Sequence, residues 1–232
     1  PVLCDTATVY ITINPINDTP KICELDTCDP HDRPGTTDTT IVTIPEDSDT
    51  TICFIINDPD FGNPYDSVTV SLIDSANNGN GYLFAPTSFT NTDTLCVFYR
   101  PDTNYIGTDT LVKVACDTGG LCDTQVIIYI VQPVNDPPVA VNDTVVTDED
   151  SLTNINVIAN DFDVDGPLDS TSVVVVSGPS NGTATSLGDG TVNYLGNLDF
   201  NGQDSFSYAV CDTGLPVLCD TATVYITINP IN

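Results

Sequence analysis

PVLCDTATVYITINPIN, residues 1–17, returns letter for letter as residues 216–232, which sets a repeat period of 215 residues. Identity over seventeen residues marks a segment of a tandem array, an architecture that supplies length and presented surface rather than chemistry. A weaker repeat lies inside the strong one. CDTATVYITINPINDTP (4–20), CDTQVIIYIVQPVNDPP (122–138) and CDTATVYITINPIN (219–232) each read as an apolar strand; in the first two, Asn-Asp and proline follow it. Proline cannot continue a ladder, and the residue before it stays extended, so residues 17–20 and 135–138 read as linkers. The expected organisation is residues 1–17 as the last strand of a preceding repeat domain, 18–136 as a first complete domain and 137–232 as a second. Domains of about 100 residues each bury a core of their own.

The rest of the chain repeats the same grammar. TTIVTI, TICFII, SVTVSLI, GYLFA, TLCVFY, DTLVKVA and DTQVIIYIV fall in the first domain. VAVNDTVVT, LTNINVI, SVVVVS, GTATS, TVNYL, DSFSYAV and DTATVYITI fall in the second. These are short β-branched and aromatic runs separated by Gly, Pro, Asn and Asp, with no helical period. Seven strands in about 100 residues predict an all-β fold of tandem seven-strand Greek-key β-sandwiches arranged end to end. The chain has no Trp, so the immunoglobulin pin of a buried Trp against a disulfide is missing.

The formal net charge is −29, with Lys21, Arg33, Arg100 and Lys113 the only basic residues. Such a chain repels nucleic acid and anionic lipid, so neither is an expected partner. Apolar residues make up 40 % of it, in strand-length runs, which excludes disorder. No run approaches the roughly 18 apolar residues of a membrane-spanning helix, so no membrane contact is expected of this segment.

The cysteines suggest pairs. Cys116 and Cys122 flank DTGGL between the last two strands of the first domain, and Cys211 and Cys219 flank DTGLPVL at the same place in the second. Cys53 and Cys96 lie on strands expected to be neighbours, and Cys23 and Cys28 bracket ELDT. Cys4 is left over; by the repeat, its partner is expected eight residues upstream. Full pairing implies an oxidising, extracellular location. A zinc site would call for Cys-x-x-Cys knuckles, and there are none. His31, the one histidine, reads as a loop residue and rules out a Ser-His-Asp set elsewhere.

The acids cluster in register. Glu46, Asp47 and Asp49 follow the first full strand of domain one, and Asp58 and Asp60 follow the second. Asp148, Glu149 and Asp150, then Asp161, Asp163 and Asp165, occupy the same two places in domain two, while Asp18 and Asp136 sit in the linkers. Alternating carboxylates on one turn repel one another unless a cation intervenes. Ca2+ takes six to eight oxygens from such loops, whereas Mg2+ demands tight octahedral geometry. In a sandwich of this order the A–B turn lies at the far pole and the B–C and F–G loops at the near pole. Glu46, Asp47 and Asp49 are therefore expected to meet Asp136, Asp161, Asp163 and Asp165, with Asp212 as an additional ligand. Asp18, Asp58 and Asp60 would form the corresponding site with the preceding domain. Asp148, Glu149 and Asp150 would serve the following one. Asp109 and Asp204, just before strand F, are expected near the far pole. A solvated, solubilising surface is the competing reading of the same acids.

VNDPPVAVNDTVVTDEDSLTNINVIANDFDVDG (134–166), FNGQDSFSYAVCDTG (200–214) and VYITINPIN (224–232), with IPEDSDTTICFIINDPDF (44–61), resemble the bacterial cadherin-like or Ig-like tandem repeats of giant surface adhesins, as in Bacteroidota-type repeat proteins. The resemblance covers nearly the whole chain. It implies calcium held at domain junctions, with Glu46, Asp136, Asp161 and Asp163 at the matching positions. Pro133-Val134 stands where the animal cadherin linker has its first acidic ligand, and the Asp-Arg-Glu motif is absent. Asp-Thr or Asp-Ser before a small apolar residue, at Thr6, Ser67, Thr94, Thr110, Thr144, Ser151 and Thr221, is similar to an O-glycosylation signal of Bacteroidota surface proteins. The abundance of Asp and Thr accounts for it equally.

Two functions follow as expectations. One is a structural repeat segment of an extracellular filament or adhesin stalk at the cell surface, rigidified by calcium and by disulfides, with neighbouring repeats of the same polypeptide or filament as partners. The other is a calcium-dependent carbohydrate- or cell-binding adhesion module, contacting glycans or other cells. A binding module would concentrate aromatics in one loop, whereas Phe61, Tyr65 and Tyr105 are scattered. Paired carboxylates also fit a glycosidase, but no insertions form a pocket, so no enzymatic activity is expected.

Overall fold

The computed structural model of the chain describes residues 20–24, 38–58, 67–84 and 94–231. Every described element is a β-strand, and the chain divides into two compact units, Pro1–Pro133 and Val134–Asn232. The expectations for residues 1–17, Thr6, Asp18, Cys28 and Asp60 lie outside the described residues.

The first unit holds β1 (Lys21–Glu24), β2 (Asp38–Pro45), β3 (Thr50–Asn57), β4 (Thr69–Asp74), β5 (Gly79–Phe84), β6 (Thr94–Pro101), β7 (Gly107–Cys116) and β8 (Cys122–Gln132). They form two four-stranded sheets, β1-β3-β6-β5 and β2-β8-β7-β4. The second unit holds β9 (Asp143–Asp148), β10 (Thr153–Asn156), β11 (Leu168–Ser177), β12 (Gly182–Ser186), β13 (Thr191–Gly196), β14 (Gly202–Asp212) and β15 (Cys219–Asn229). Its sheets are β10-β13-β12 and β11-β14-β15-β9. In each unit a long antiparallel hairpin (β7–β8, β14–β15) anchors one sheet. β2 in the first unit and β9 in the second join the hairpin's outer edge in parallel, Ile41 facing Ile128 and Val145 facing Ile226. That order carries the A–B turn, the turn that follows β2 and β9, to the end of the last strand: Glu46 N donates to Gln132 O at 2.8 Å and Glu149 N to Asn229 O at 2.9 Å.

The alternation read from the sequence becomes the inside–outside alternation of the sandwich. Phe54, Leu95, Val97, Tyr99, Leu111, Ile127 and Tyr129 are fully buried in the first unit, with the Tyr99 and Tyr129 rings stacked at 3.9 Å. Val157, Val192, Tyr194, Tyr208, Val210 and Val224 are fully buried in the second. Each such side chain contributes about 1.5–3 kcal/mol relative to exposure.

Two details differ from the sequence reading. Lys21–Glu24 is a strand paired with β3, Cys23 opposite Ile55, so the described residues of the first unit form eight strands. Ile22 is buried there and its N–H donates to Asp123 Oδ2 at 2.9 Å. Four residues are too few for alternation to register. The division between units falls after Pro133, three residues before the expected boundary, because Asn135 and Asp136 are hydrogen-bonded into the second unit.

Three disulfides lie among the described residues. Cys53–Cys96 ties β3 to β6, Cys116–Cys122 closes the β7–β8 hairpin, and Cys211–Cys219 closes β14–β15.

Candidate functional site

Acidic loops stand at the poles of both units, and the physical question is what their carboxylates face. At the A–B turn of the second unit Asp150 has φ 58, and it meets Asp199, with φ 56. The Asp199 N–H donates to Asp150 Oδ1 at 3.1 Å. The first unit repeats the device: Asp47 (φ 55) accepts at 3.2 Å from the N–H of Asn104 (φ 57). Asp and Asn tolerate left-handed backbone because their short side chains bond locally. Glu149 accepts from Ile231 N at 2.8 Å and from Asn201 Nδ2 at 3.3 Å. Asp49 pairs with Arg100 at 2.6 Å, both side chains being largely exposed. Glu46 is buried beside the end of β8, and Asp148 is exposed at the end of β9.

The other pole of the second unit is denser. Asp161 Oδ1 accepts the Val141 N–H at 2.7 Å, and the Tyr208 hydroxyl reaches Asp161 Oδ2 at 2.9 Å and Val157 O at 2.7 Å. Asp143, at the start of β9, and Asp220, near the start of β15, crowd the same place. Asp220 Oδ2 takes the Ala140 N–H at 2.9 Å. Burial and then the neighbouring Asp161 raise the Asp143 carboxyl to about 6, against the hydrogen-bonding pull of Tyr208 and Asn160. The Asp143 Oδ2 atom is sealed from solvent without a well-formed hydrogen bond. Asp161 is likewise raised, by burial first and with Asp220 adding to it. The Tyr208 hydroxyl is pushed up too, by burial and then by its bond to Asp161.

The remaining loop acids organise backbone. Asp163 Oδ1 accepts from Asp165 N at 2.8 Å, and Asp165 Oδ2 accepts from the linker Asp136 N at 2.6 Å. Asp212, expected as a further metal ligand, binds Leu218 N and Gly214 N through Oδ1, and Asn135 Nδ2 at 2.6 Å through Oδ2. Burial raises its carboxyl, but these hydrogen bonds outweigh burial and hold it below the usual range. In the first unit Asp58 is fully buried at the end of β3. Asp109 and Asp204 are hubs. Asp204 accepts from Ser180 N, Asn181 N and the Tyr194 hydroxyl at 2.9–3.0 Å, and Asp109 does the same for Asn77 N, Asn78 N and the Tyr99 hydroxyl at 3.0 Å.

Much of the acidity read as metal ligation therefore satisfies turn N–H groups, which need acceptors wherever a loop leaves the ladder. Among the described residues, no three His, Cys, Asp or Glu groups are set as a cage for a metal ion. The donor chemistry at Asp143, Asp161 and Asp220 is nonetheless all oxygen and mutually repulsive, which suits a hard cation. Asp143, Asp220 and Tyr208 were not singled out in the sequence, and Asn135 was read there only as part of the linker. A signal for two of them existed: Asn-Asp recurs at 135–136 and 142–143, and Cys-Asp-Thr recurs at 4, 122 and 219.

Of the candidate glycan acceptors, Ser67, Thr94, Thr144 and Thr221 are exposed, while Thr110 and Ser151 are half-buried.

The bacterial Ig domain family matches residues 31–129 and again residues 135–227. No curated protein matches the sequence at a significant level. Among solved structures, protocadherin Gamma B2 extracellular cadherin domains 1–5 are similar at 17 % identity and TM-score 0.48, over 93 % of this chain and 41 % of that one. Drosophila N-cadherin EC1–4 is similar at 18 % identity and TM-score 0.44, over 83 % of this chain and 48 % of that one. An endo-fucoidan hydrolase from glycoside hydrolase family 107 is similar at 17 % identity and TM-score 0.38, over 90 % of this chain and 31 % of that one. The chain spans about a third to a half of the length of these structures.

Proposed function

The chain belongs to the bacterial Ig domain family, in two tandem copies, and we propose that it is a structural repeat segment of an extracellular filament or adhesin stalk, without enzymatic activity. One observation carries this reading. Two consecutive units share one plan, and each closes its final hairpin with a disulfide, Cys116–Cys122 and Cys211–Cys219. A clip at the mouth of a hairpin prevents fraying of the strands that bear load, and it persists only in an oxidising compartment. The exact return of residues 1–17 at 216–232 fits a polypeptide that gains length by repetition.

Calcium is the cofactor of this proposal. Asp161 is the residue we assign to it first, with Asp143 and Asp220 beside it and Asp136, Asp163 and Asp165 in the adjoining loop. Glu46, Asp47, Asp49, Asp58, Asp148, Glu149 and Asp150 are the remaining candidates. The support is the carboxyl raised to about 6 at Asp143 and its Oδ2 atom, sealed from solvent without a well-formed hydrogen bond. A divalent cation would relieve the repulsion and take that lone pair. The expected result is a higher melting temperature with millimolar CaCl2 than with EDTA, and loss of that difference in Asp161→Asn with Asp163→Asn. An identical melt in calcium and EDTA, with no bound calcium by elemental analysis, would remove calcium from the proposal and leave the disulfide-clipped stalk. Free thiols at Cys116, Cys122, Cys211 and Cys219 in protein from its native source would sink the extracellular assignment.

A further inference from the structure

The outer face of the β1-β3-β6-β5 sheet carries an aromatic cluster. Tyr82 and Phe84 on β5 are 46 % and 52 % exposed, and Phe98 on β6 stands beside them. Ring centroids are 4.7 Å apart for Tyr82–Phe98, 4.9 Å for Tyr82–Phe84 and 6.5 Å for Phe84–Phe98. Arg100 lies 5.8 Å over Phe98 and is joined to Asp49, with side chains 61 % and 47 % exposed. On the other side the Cys53–Cys96 disulfide pins the sheet, Cys96 facing Phe84 across the ladder. The rings are thus held on a rigid surface with a hydrogen-bonding rim.

The fold does not require them. The buried tyrosines Tyr99 and Tyr194 set the register between units, Gly81 facing the first and Ala184 the second. At the places of Tyr82 and Phe98 the second unit has Thr185 and Asn193. Asn193 there accepts from Asn154 Nδ2 at 2.9 Å, and the exposed Leu187 and Leu195, at the places of Phe84 and Arg100, are aliphatic rather than aromatic. Exposed aromatic clusters of this kind mark binding surfaces when packing does not explain them.

We propose that Tyr82, Phe84 and Phe98, with Arg100 and Asp49 at the rim, form a platform that binds a neutral saccharide. A sugar ring presents C–H bonds on its face, and these meet the negative face of an aromatic quadrupole. Its hydroxyls need a few donors and acceptors at the edge, which the Arg100 fork and the Asp49 carboxylate supply. The ring spacings suit one or two sugar units. Charge decides against the other occupants. A net −29 disfavours polyanions, and it disfavours a second copy of the same chain. Three rings also fall well short of the roughly 1,000 Å² that a stable protein interface needs. The platform does not rest on the stalk reading, and of its residues only Asp49 is also a calcium candidate.

The test uses the whole chain, calcium-saturated and in EDTA, with a panel of neutral oligosaccharides (glucan, mannan, galactan and chitin hexamers) and alginate oligosaccharides as the anionic comparison. Calorimetry should show saturable binding to at least one neutral member. Binding should weaken about tenfold in Tyr82→Ala and in Phe84→Ala, given the worth of one stacked ring. Tyr82→Thr, which imports the residue of the second unit, repeats the measurement if the alanine variants misfold. Leu195→Ala, on the second unit, should leave binding unchanged. No binding to any neutral member, a preference for alginate, or binding indifferent to Tyr82 and Phe84 would overturn the platform. Concentration-dependent dimers abolished by Tyr82→Ala would overturn it in favour of self-association.

Discussion

Lys113 Nζ lies 2.7 Å from the centroid of the Phe54 ring, fully buried in the first unit and without a hydrogen-bond partner. The matching position in the second unit, four residues after the hub aspartate, is Tyr208, whose hydroxyl is bonded. Burial lowers the Lys113 amine to about 6. In the unfolded chain it titrates near the ordinary value of about 10.4. Between those values folding expels a proton, so the unfolded chain binds more protons and stability rises with pH. The penalty is complete below about pH 6 and fades towards pH 10. Urea melts of the whole chain between pH 6 and 9 should show stability climbing by up to about 1.4 kcal/mol per pH unit. Lys113→Met should raise stability at pH 7 and flatten the slope. A wild-type curve that is level across this range would show that the amine is not held neutral.

Asp204 gathers three groups distant from it in sequence: Ser180 N, Asn181 N and the Tyr194 hydroxyl. Removing one buried charged acceptor strands all three donors, at about 1.5–3 kcal/mol for bonds to a charged group. Asp204→Ala should therefore lower stability by about 3 kcal/mol or more, and Asp109→Ala should do the same to the first unit. Calorimetry checks both; a loss below about 1 kcal/mol in either variant would contradict the hub role.

The fold was legible because it rests on alternation. TLCVFY and TVNYL show the period of two that the sandwich uses, and Asn-Asp-Pro marks where ladders stop. The hairpin cysteines were legible by the same logic, since a pair flanking a short turn has one geometric use. The acids were harder. A sequence shows that Asp150 and Asp163 are clustered, but it does not show that each faces a backbone N–H. Whether a carboxylate serves a turn or a cation depends on loop geometry that residue type leaves open. The aromatic platform escaped for another reason. Tyr82, Phe84 and Phe98 are separated in sequence, and only the β5–β6 register sets Tyr82 opposite Phe98.

The Cys53–Cys96 bridge closes a sequence separation of 43, and the clips close 6 and 8. In the chain-entropy account, the long loop is worth about 4 kcal/mol and the short ones about 2 kcal/mol each. Cys53→Ser with Cys96→Ser should therefore cost more global stability than either clip. Losing Cys211–Cys219 should instead show as faster amide exchange at the open end of β14–β15. Equal losses in denaturant melts from the long bridge and from a clip would contradict the ranking.

Asn135 ties the linker to the second unit through Asp212 at 2.6 Å and Pro216 O at 3.0 Å. Asp212 cannot turn away, because its other oxygen holds the Gly214 and Leu218 N–H groups of the same loop. The linker is thus fastened by the loop that Cys211–Cys219 closes. Gly214 is required for the fit: a Cβ there would run into the Asn135 amide. Gly214→Ala should expel Asn135 while leaving the strands intact. Asn135→Ala should cost only about 1 kcal/mol, since the bond is half-exposed. Both variants should speed amide exchange at residues 134–136 several-fold and leave the β14–β15 core protected. In a double-mutant cycle, Asn135→Ala should have little further effect once Asp212→Asn is present. Linker exchange rates unchanged in Asn135→Ala would mean that Asp136 and its bond to Asp165 hold the segment alone.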